Sequence, residues 1–145
     1  MSDLSCTVCS GTWPGREFAI GDLGLSTAYL NDDQFFPGWT VLVFKRHATE
    51  LFHLAPTERI QLMEEVSRLA KVLAETFTAT KMNYELLGNQ VPHIHWHVIP
   101  RLPHDPAPLQ PIWGIPHDRV VLSREEIRTT ISRIQKGLGR PLANA

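Results

Sequence analysis

A segment in which histidines alternate with bulky apolar residues constrains this chain more than any other feature. Residues 93–98 read His-Ile-His-Trp-His-Val. A period of two is typical of a half-buried β-strand, because side chains two residues apart lie on the same face. We therefore predict a strand with all three imidazoles on one face and the apolar side chains in a core. Pro92 and Pro100 restrict the backbone on either side and predict a short strand with defined ends.

The three histidines of this segment, His93, His95 and His97, are the first candidates for a functional site. At neutral pH an imidazole can bind a metal ion, attack as a nucleophile or transfer a proton. The alternative is an exposed strand face that carries histidines without a role. Three of the seven histidines in 145 residues fall in this one alternation, which favours a functional arrangement.

Composition limits the partners of the chain. A net charge of −1 and an isoelectric point near 6.6 disfavour a broad nucleic-acid interface and a polybasic membrane surface. No apolar run approaches the roughly 20 residues of a membrane span, and the N-terminal residues lack the pattern of a signal peptide. We therefore expect a cytoplasmic protein without nucleic-acid or membrane partners. Its length suits one domain over residues 1–145.

Short apolar runs separated by turn residues predict four further strand segments. Residues 18–20 and 25–30 flank a turn expected at 21–22. Residues 39–44 are almost continuously apolar and β-branched, which indicates a strand buried on both faces. Residues 83–87 are a further strand, connected to the histidine segment by a short loop.

Apolar residues at three- and four-residue spacing predict a long helix over residues 57–77, with Thr57 as its N-cap. The face expected to pack on the sheet contains Ile60, Met63, Val66, Leu69, Ala70, Leu73 and Phe77. The face expected in solvent contains Glu64, Glu65, Arg68, Lys71 and Glu75.

The C-terminal part contains a proline-rich loop, residues 102–118, and then a second helix. Ser123 and Glu126 have the spacing of a capping box that begins this helix, and Gly137 is the expected stop. Residues 1–16 form an N-terminal segment with a C-x-x-C pair, and residues 102–145 comprise the loop and the second helix. The pattern as a whole predicts an α+β domain.

The alternation His-Ile-His-Trp-His-Val-Ile at 93–99 resembles the signature of the histidine-triad (HIT) nucleotide hydrolases and transferases. The similarity covers roughly residues 4–101, in which further segments occur in the usual order of that family. These segments are 30–31, the Pro-Gly turn at 37–38, the Lys-Arg-His run at 45–47, the helix and the Pro-Arg pair at 100–101.

The resemblance implies a two-layer α+β fold with an antiparallel sheet of about five strands, and a homodimer. It also implies a small-molecule nucleotide substrate whose α-phosphate lies beside the histidine strand. Members cleave at that phosphorus in conjugates such as dinucleoside polyphosphates or nucleoside phosphoramidates. By position His95 is the expected nucleophile, which forms a nucleotidyl-histidine. His97 is then a donor to a phosphate oxygen or to the leaving group, and His93 holds phosphate or orients the pocket.

Four polar residues are candidates for binding the nucleotide, together with His97. Asn31 matches the position that contacts the ribose in the family, although a turn-forming asparagine is an equally good local explanation. Asn83 lies near the family's phosphate-contacting amide, one residue out of register. Asn89 and Gln90 directly precede the triad. Trp39 stands where some relatives have a histidine after Pro-Gly.

Cys6, Cys9, His47 and His93 resemble the ligand set of a structural zinc ion in some bacterial-type members. Two thiolates and two imidazoles suit tetrahedral Zn²⁺. In a reducing compartment a C-x-x-C pair is typical of metal binding or redox chemistry rather than of a structural disulfide. The competing interpretation is a pair of free thiols on a mobile tail. No organic cofactor is expected.

Two other functions remain open from the sequence. In the first, the three histidines hold a catalytic zinc ion of a metallohydrolase, which requires all three imidazoles to converge. In the second, the chain is a nucleotide-binding or partner-binding module without catalysis, which the intact central histidine disfavours. A covalent nucleotide hydrolase or transferase is the main hypothesis.

Overall fold

The computed structural model describes residues 5–139, which form a five-stranded antiparallel sheet with two helices on one face. The strands lie in the order β1-β2-β3-β5-β4. The elements are β1 (Ala19–Asp22), β2 (Ser26–Leu30), β3 (Thr40–Phe44), α1 (Pro56–Phe77), β4 (Lys81–Glu85), β5 (His95–Arg101) and α2 (Arg124–Leu138). The predicted two-layer α+β fold is confirmed.

The side chains of strand β5 alternate between the two faces of the sheet. Trp96 and Val98 enter the core between the sheet and the helices. His95 and His97 lie on the opposite face, where they pair in register with Val43 and Val41 of β3. The apolar-in arrangement expected from the sequence is therefore confirmed for this strand.

The predicted end of this strand at Pro100 is wrong, because β5 continues to Arg101. Pro100 is opposite Met82 of β4, whereas β3 is paired with β5 only as far as Val98. On the β3 side no strand remains to bond with position 100, so the missing N–H is tolerated there.

The expectation of three imidazoles on one strand face is also wrong, because His93 precedes β5. The amide of Ile94 donates to the carbonyl of Ala48 at 2.8 Å, and the amide of Phe44 donates to the carbonyl of Ile94 at 3.0 Å. These bonds tie Ile94 to the last residue of β3 and to the chain that follows this strand. The His93 ring contacts the His47 ring, with centroids 5.3 Å apart, whereas the rings of His95 and His97 contact each other.

Two strand boundaries differ from the prediction by about two residues. The first turn lies after Asp22 instead of at 21–22, since the Asp22 carboxylate accepts the amide of Gly24 at 2.8 Å. Strand β4 begins at Lys81 instead of 83, because α1 ends at Phe77 and its C-cap Thr78 has a left-handed conformation (φ 54°) that reverses the chain at once.

The helix ends also differ in detail. Helix α1 begins at Pro56 with Ala55 as N-cap instead of Thr57, and Glu58 accepts the Ala55 amide at 2.8 Å. The capping box of Ser123 and Glu126 is confirmed at the start of α2.

The predicted stop of α2 at Gly137 is wrong. This helix continues to Leu138 and is capped by Gly139 at φ 68°. Gly137 instead allows close packing of the two helices, because a Cβ there would lie 2.6 Å from Val72 Cγ1.

The proline-rich loop after β5 is held by Arg101, whose side chain is almost completely buried. Its guanidinium forms a bidentate pair with Asp105 (2.5 and 2.9 Å). It also donates to the carbonyls of Ala107 and Gln110 at 2.6 and 2.7 Å. Prolines leave this loop few backbone donors, so the five donors of one arginine replace them.

The predicted packing face of α1 is confirmed for Val66, Leu69, Ala70 and Leu73, but it differs toward the start of the helix. Ile60 and Met63 are exposed at 67% and 50%, whereas Leu62 and Glu65 are buried at 1% and 5%. Glu65 accepts the amide of Leu25 at 2.8 Å and the hydroxyl of Ser26. A carboxylate faces the sheet because the turn between β1 and β2 presents donors that need an acceptor.

We expect Glu65→Ala to lower the free energy of unfolding by about 2–3 kcal/mol, since it leaves two donors without an acceptor. Glu64→Ala, one residue away on the exposed face of the same helix, is the matched control and is expected within about 0.5 kcal/mol of the unsubstituted protein. Urea unfolding of both variants measures the difference. Equal effects would mean that Glu65 does not stabilise the turn.

Candidate functional site

A cleft of about 600 Å³ lies on the face of the sheet opposite the helices. It is bounded by the N-terminal segment, the loop after β2, the turn at 87–91, strand β5 and the proline-rich loop. Five of the predicted site residues line it, namely Asn31, Asn89, Gln90, His95 and His97.

His95 is held in one tautomer by the backbone. Its Nδ1 lies 2.6 Å from the carbonyl oxygen of His93. A carbonyl only accepts hydrogen bonds, so Nδ1 carries the proton and Nε2 retains its lone pair. Burial lowers the pKa of His95, although the bond to the carbonyl acts in the opposite direction. The ring is therefore a neutral imidazole with Nε2 as its basic nitrogen, as a nucleophile requires.

His97 is held in the opposite tautomer. The indole Nε1 of Trp39 donates to Nδ1 of His97 at 3.1 Å, in buried surroundings. Because an indole nitrogen can only donate, Nδ1 is the acceptor and Nε2 carries the proton. Burial and the neighbouring His95 lower the pKa of His97 to about 4. The two rings, with centroids 5.2 Å apart, thus present one basic nitrogen and one N–H.

His93 belongs to a separate cluster with Cys6, Cys9 and His47. Its Nε2 donates to the carbonyl of Phe44 at 2.6 Å, which leaves Nδ1 with a lone pair. This Nδ1 lies 3.5 Å from Sγ of Cys6, 3.7 Å from Sγ of Cys9 and 3.3 Å from Nδ1 of His47.

These distances fit a tetrahedral metal site. Bonds of about 2.0–2.1 Å to nitrogen and about 2.3 Å to sulfur place the ligands of Zn²⁺ roughly 3.3–3.8 Å from one another. All four ligand atoms lie within 4.8 Å of one another, and within residues 5–139 no other such group occurs. The carbonyl that fixes the His93 tautomer is the kind of outer contact that orients metal-bound histidines. The four residues can hold a metal ion.

Asn83 lies apart from the cleft. Its Oδ1 accepts from the Arg101 guanidinium at 2.7 Å, beside a shallower depression between β4 and the proline-rich loop. Asn31, by contrast, is nearly buried, and its Nδ2 donates to the carbonyl of Asp33 at 3.0 Å. The structure thus brings Asn31 to the histidines and leaves Asn83 elsewhere.

Three tryptophans and an arginine in the cleft were not among the predicted site residues. The Trp13 ring meets His95 edge-on at 5.2 Å, and the Trp113 ring meets His97 at 4.9 Å. Arg119 pairs with Asp32 at the edge of the cleft. The position of Trp39 directly after Pro-Gly could have identified it as a site residue. Trp13, Trp113 and Arg119 lie in loops, where no periodic pattern indicates which side chains face the cleft.

An ion pair joins the proline-rich loop to the loop after β2. Nε2 of His117 lies 2.8 Å from Oδ2 of Asp33, and the His117 ring stacks on Phe35 at 4.0 Å. The bond to Asp33 raises the pKa of His117, against a smaller opposing effect of burial. For Asp33, burial alone would raise the pKa, but hydrogen bonds from His117, Phe35 and Val120 together lower it.

We expect this pair to stabilise the fold most between about pH 4 and 6.5. A raised histidine pKa gives stability that is fully present below the unfolded value and is lost as pH rises through the folded value. His117→Phe preserves the stacking, so its cost reports the ion pair. The loss of unfolding free energy should be on the order of 1 kcal/mol larger at pH 6 than at pH 9 in urea titrations. A cost that does not change with pH would contradict this assignment.

The fold and the cleft together define a histidine-triad type of domain, with two strand-borne imidazoles in opposite tautomers and the first histidine in a metal-type cluster. A family model described as HIT domain matches residues 16–104, which is more than half of the chain. The chain belongs to the HIT family.

Two curated relatives come from Schizosaccharomyces pombe. An asymmetrical bis(5'-nucleosyl)-tetraphosphatase is 32% identical over 82 residues, which cover 53% of this chain and 45% of the relative. The match thus spans less than half of that enzyme. The adenosine 5'-monophosphoramidase hnt1 is 25% identical over 102 residues, which cover 70% of this chain and 75% of the relative.

Among solved structures, a histidine triad protein from Sinorhizobium meliloti 1021 is 36% identical to this chain. It superposes with a TM-score of 0.77 and covers 83% of this chain and 88% of its own. In residues 5–139 no helix is long and apolar enough to cross a membrane.

Proposed function

We propose that the protein is a nucleotide phosphohydrolase or nucleotidyl transferase that acts at the α-phosphate of a nucleotide conjugate, with His95 as nucleophile. The observation that carries the proposal is the hydrogen bond from His95 Nδ1 to the His93 carbonyl, which leaves a basic Nε2 in a neutral ring. The names of the two curated relatives, a dinucleoside tetraphosphatase and a phosphoramidase, support the same class of substrate.

The reaction balances in two steps. In the first, the Nε2 lone pair of His95 forms a bond to the α-phosphorus, and the bond to the leaving group breaks with its electron pair going to that group. The ring then carries a positive charge, which the His93 carbonyl stabilises through Nδ1–H. In the second step water, or another acceptor in a transferase, attacks phosphorus, the P–N bond returns its pair to Nε2, and a proton is released.

The rest of the cleft supplies groups that suit a nucleotide. Nε2–H of His97 is a donor for a phosphate oxygen, and the amides of Asn89 and Gln90 add further polar groups beside it. Asn31 suits the ribose hydroxyls, and the guanidinium of Arg119, which also pairs with Asp32, has further N–H donors for the outer phosphates. A purine nucleoside is expected, with its base in contact with the tryptophans of the cleft.

We propose zinc as the ion held by Cys6, Cys9, His47 and His93. Bound there, it supplies a tetrahedral cross-link and no chemistry of the reaction. The cross-link ties the N-terminal segment to the start of β5, and that segment carries Trp13 to the His95 ring. The side chain of His93 thereby serves as a metal ligand, and its backbone carbonyl orients the His95 ring.

We also propose that residues 1–145 form one domain that assembles as a homodimer. Strand β4 lies at an edge of the sheet, and the nearby side chains of Tyr84, Leu87 and Trp113 are each about half exposed. An unpaired strand edge with apolar neighbours favours association with a second chain. Light scattering during gel filtration tests the stoichiometry, and a mass of one chain would exclude the dimer.

A substrate panel tests the proposed function. The panel contains dinucleoside polyphosphates, nucleoside phosphoramidates and nucleotide sugars, with a nucleoside monophosphate as the expected product. Turnover that survives removal of free metal by a mild chelator is expected, because the triad does not converge on an ion. Binding without turnover of any conjugate would favour a catalytically silent module, and strict dependence on added metal would favour a metallohydrolase.

A further inference from the structure

We propose that Trp39 is a positioning residue which keeps His97 a neutral hydrogen-bond donor and thereby suits the site to phosphoanhydrides rather than to phosphoramidates. The inference deepens the proposed function and rests on it for the reaction at phosphorus. Its first part, the control of His97 by Trp39, can be tested without any substrate.

The contacts around His97 allow Nδ1 only the unprotonated state, in which it accepts a hydrogen bond. The indole N–H of Trp39 lies 3.1 Å from Nδ1, and Trp39 itself is 7% exposed in a cluster with Phe36, Ile99 and Ile112. A second proton on Nδ1 would place two N–H groups against each other in a buried contact. Such a contact loses a hydrogen bond and leaves two donors unsatisfied.

Among residues 5–139 no neighbouring charge offsets this cost of a second proton on His97. The titratable side chains nearest His97 are His95 on the same strand and Glu85, which is opposite His97 in β4. The Glu85 carboxylate already accepts the indole N–H of Trp113. His97 therefore retains a single proton on Nε2 and remains a neutral donor when substrate binds.

A neutral imidazole is a poor general acid, because giving up its only N–H would leave an imidazolate. It can still donate a hydrogen bond to a non-bridging phosphate oxygen and stabilise the charge that develops there. Leaving groups consequently have to depart without a proton from His97. A polyphosphate departs from a phosphoanhydride as a stable oxyanion, whereas an amine can leave a phosphoramidate only after its nitrogen is protonated. The site therefore favours the anhydride.

The first measurement is the tautomer of His97 in the metal-loaded protein, read from the ¹⁵N shifts of its ring in two-bond ¹H–¹⁵N correlation spectra at pH 7. We expect Nδ1 unprotonated and Nε2 protonated in the unsubstituted protein. In Trp39→Phe, which preserves most of the ring volume, the two nitrogens should move toward a mixture of tautomers. Trp113→Phe is the matched control, since that ring also contacts His97 but its N–H bonds to Glu85; its spectrum should retain the original pattern.

The second measurement is the ratio of kcat/KM for a dinucleoside polyphosphate to that for a nucleoside phosphoramidate. We expect the ratio to exceed about 100 and to fall about tenfold or more in Trp39→Phe, with the change mainly in kcat. A wild-type spectrum with Nδ1 protonated would overturn the role of Trp39. Equal cleavage of both classes, or a ratio unchanged by Trp39→Phe, would overturn the preference. Absence of turnover of both classes would overturn the proposed function and the preference with it, whereas the spectra would still decide the role of Trp39.

Discussion

Replacement of His95 by alanine is expected to reduce turnover of every cleaved conjugate by about 10³-fold or more. Without Nε2 no bond to phosphorus can form, and water in the cleft lacks a base at that position. Binding of the nucleotide should persist, because the donors of His97, Asn89 and Gln90 remain. Steady-state kinetics and calorimetric titration with a nucleoside monophosphate measure the two effects separately.

His53→Ala is the matched control for this experiment. His53 is exposed in a short helical turn outside the cleft, and its substitution should leave kcat within about twofold. Thermal unfolding of both variants separates loss of fold from loss of chemistry. Turnover that survives in a folded His95→Ala protein would rule out covalent catalysis at this position.

The second large effect is expected on the stability of the fold, which should fall when the proposed metal ion is lost. Cys9→Ser, or prolonged treatment with a strong chelator, should lower the melting temperature by about 10 °C or more. The physical reason is that an ion bound by side chains from three segments far apart in sequence stabilises only the folded state. Elemental analysis of the purified protein should find about one zinc per chain, and markedly less in the variant.

Ser10→Ala provides the control, since Ser10 is exposed directly beside Cys9 and its hydroxyl bonds within its own turn. Its melting temperature and metal content should stay close to those of the unsubstituted protein. If the protein as purified held no metal, and if neither the chelator nor Cys9→Ser changed its melting temperature, the cluster would be two thiols beside two imidazoles without a structural ion.

Most of the fold prediction rested on the alternation of histidines and apolar residues in β5. A strict period of two fixes which side chains share a face of the sheet. It predicted which side chains enter the core and that His95 and His97 share the other face. It could not show that His93 leaves the strand, since that depends on hydrogen bonds between Ile94 and residues 44 and 48, which are distant in sequence.

Glu65 shows a second limit of the sequence. Periodicity treats a glutamate as a solvent residue, yet the need for an acceptor at the turn between β1 and β2 draws it into the core. The cleft has a similar limit, because Trp13 and Arg119 reach it from loops whose course depends on tertiary contacts. Asn83 lies inside β4, and the sequence does not show that its side chain bonds to Arg101 beside the proline-rich loop.

The identity of the covalent adduct tests the central claim most directly. Protein mixed with excess dinucleoside polyphosphate and quenched in base within milliseconds should gain the mass of one nucleotidyl group, a nucleoside monophosphate less one water, on an acid-labile bond to nitrogen. Peptide mapping should place that mass on His95, and the adduct should be absent from His95→Ala. A folded, active enzyme that shows no adduct at any quench time, or one that carries the nucleotide on another residue, would contradict the account.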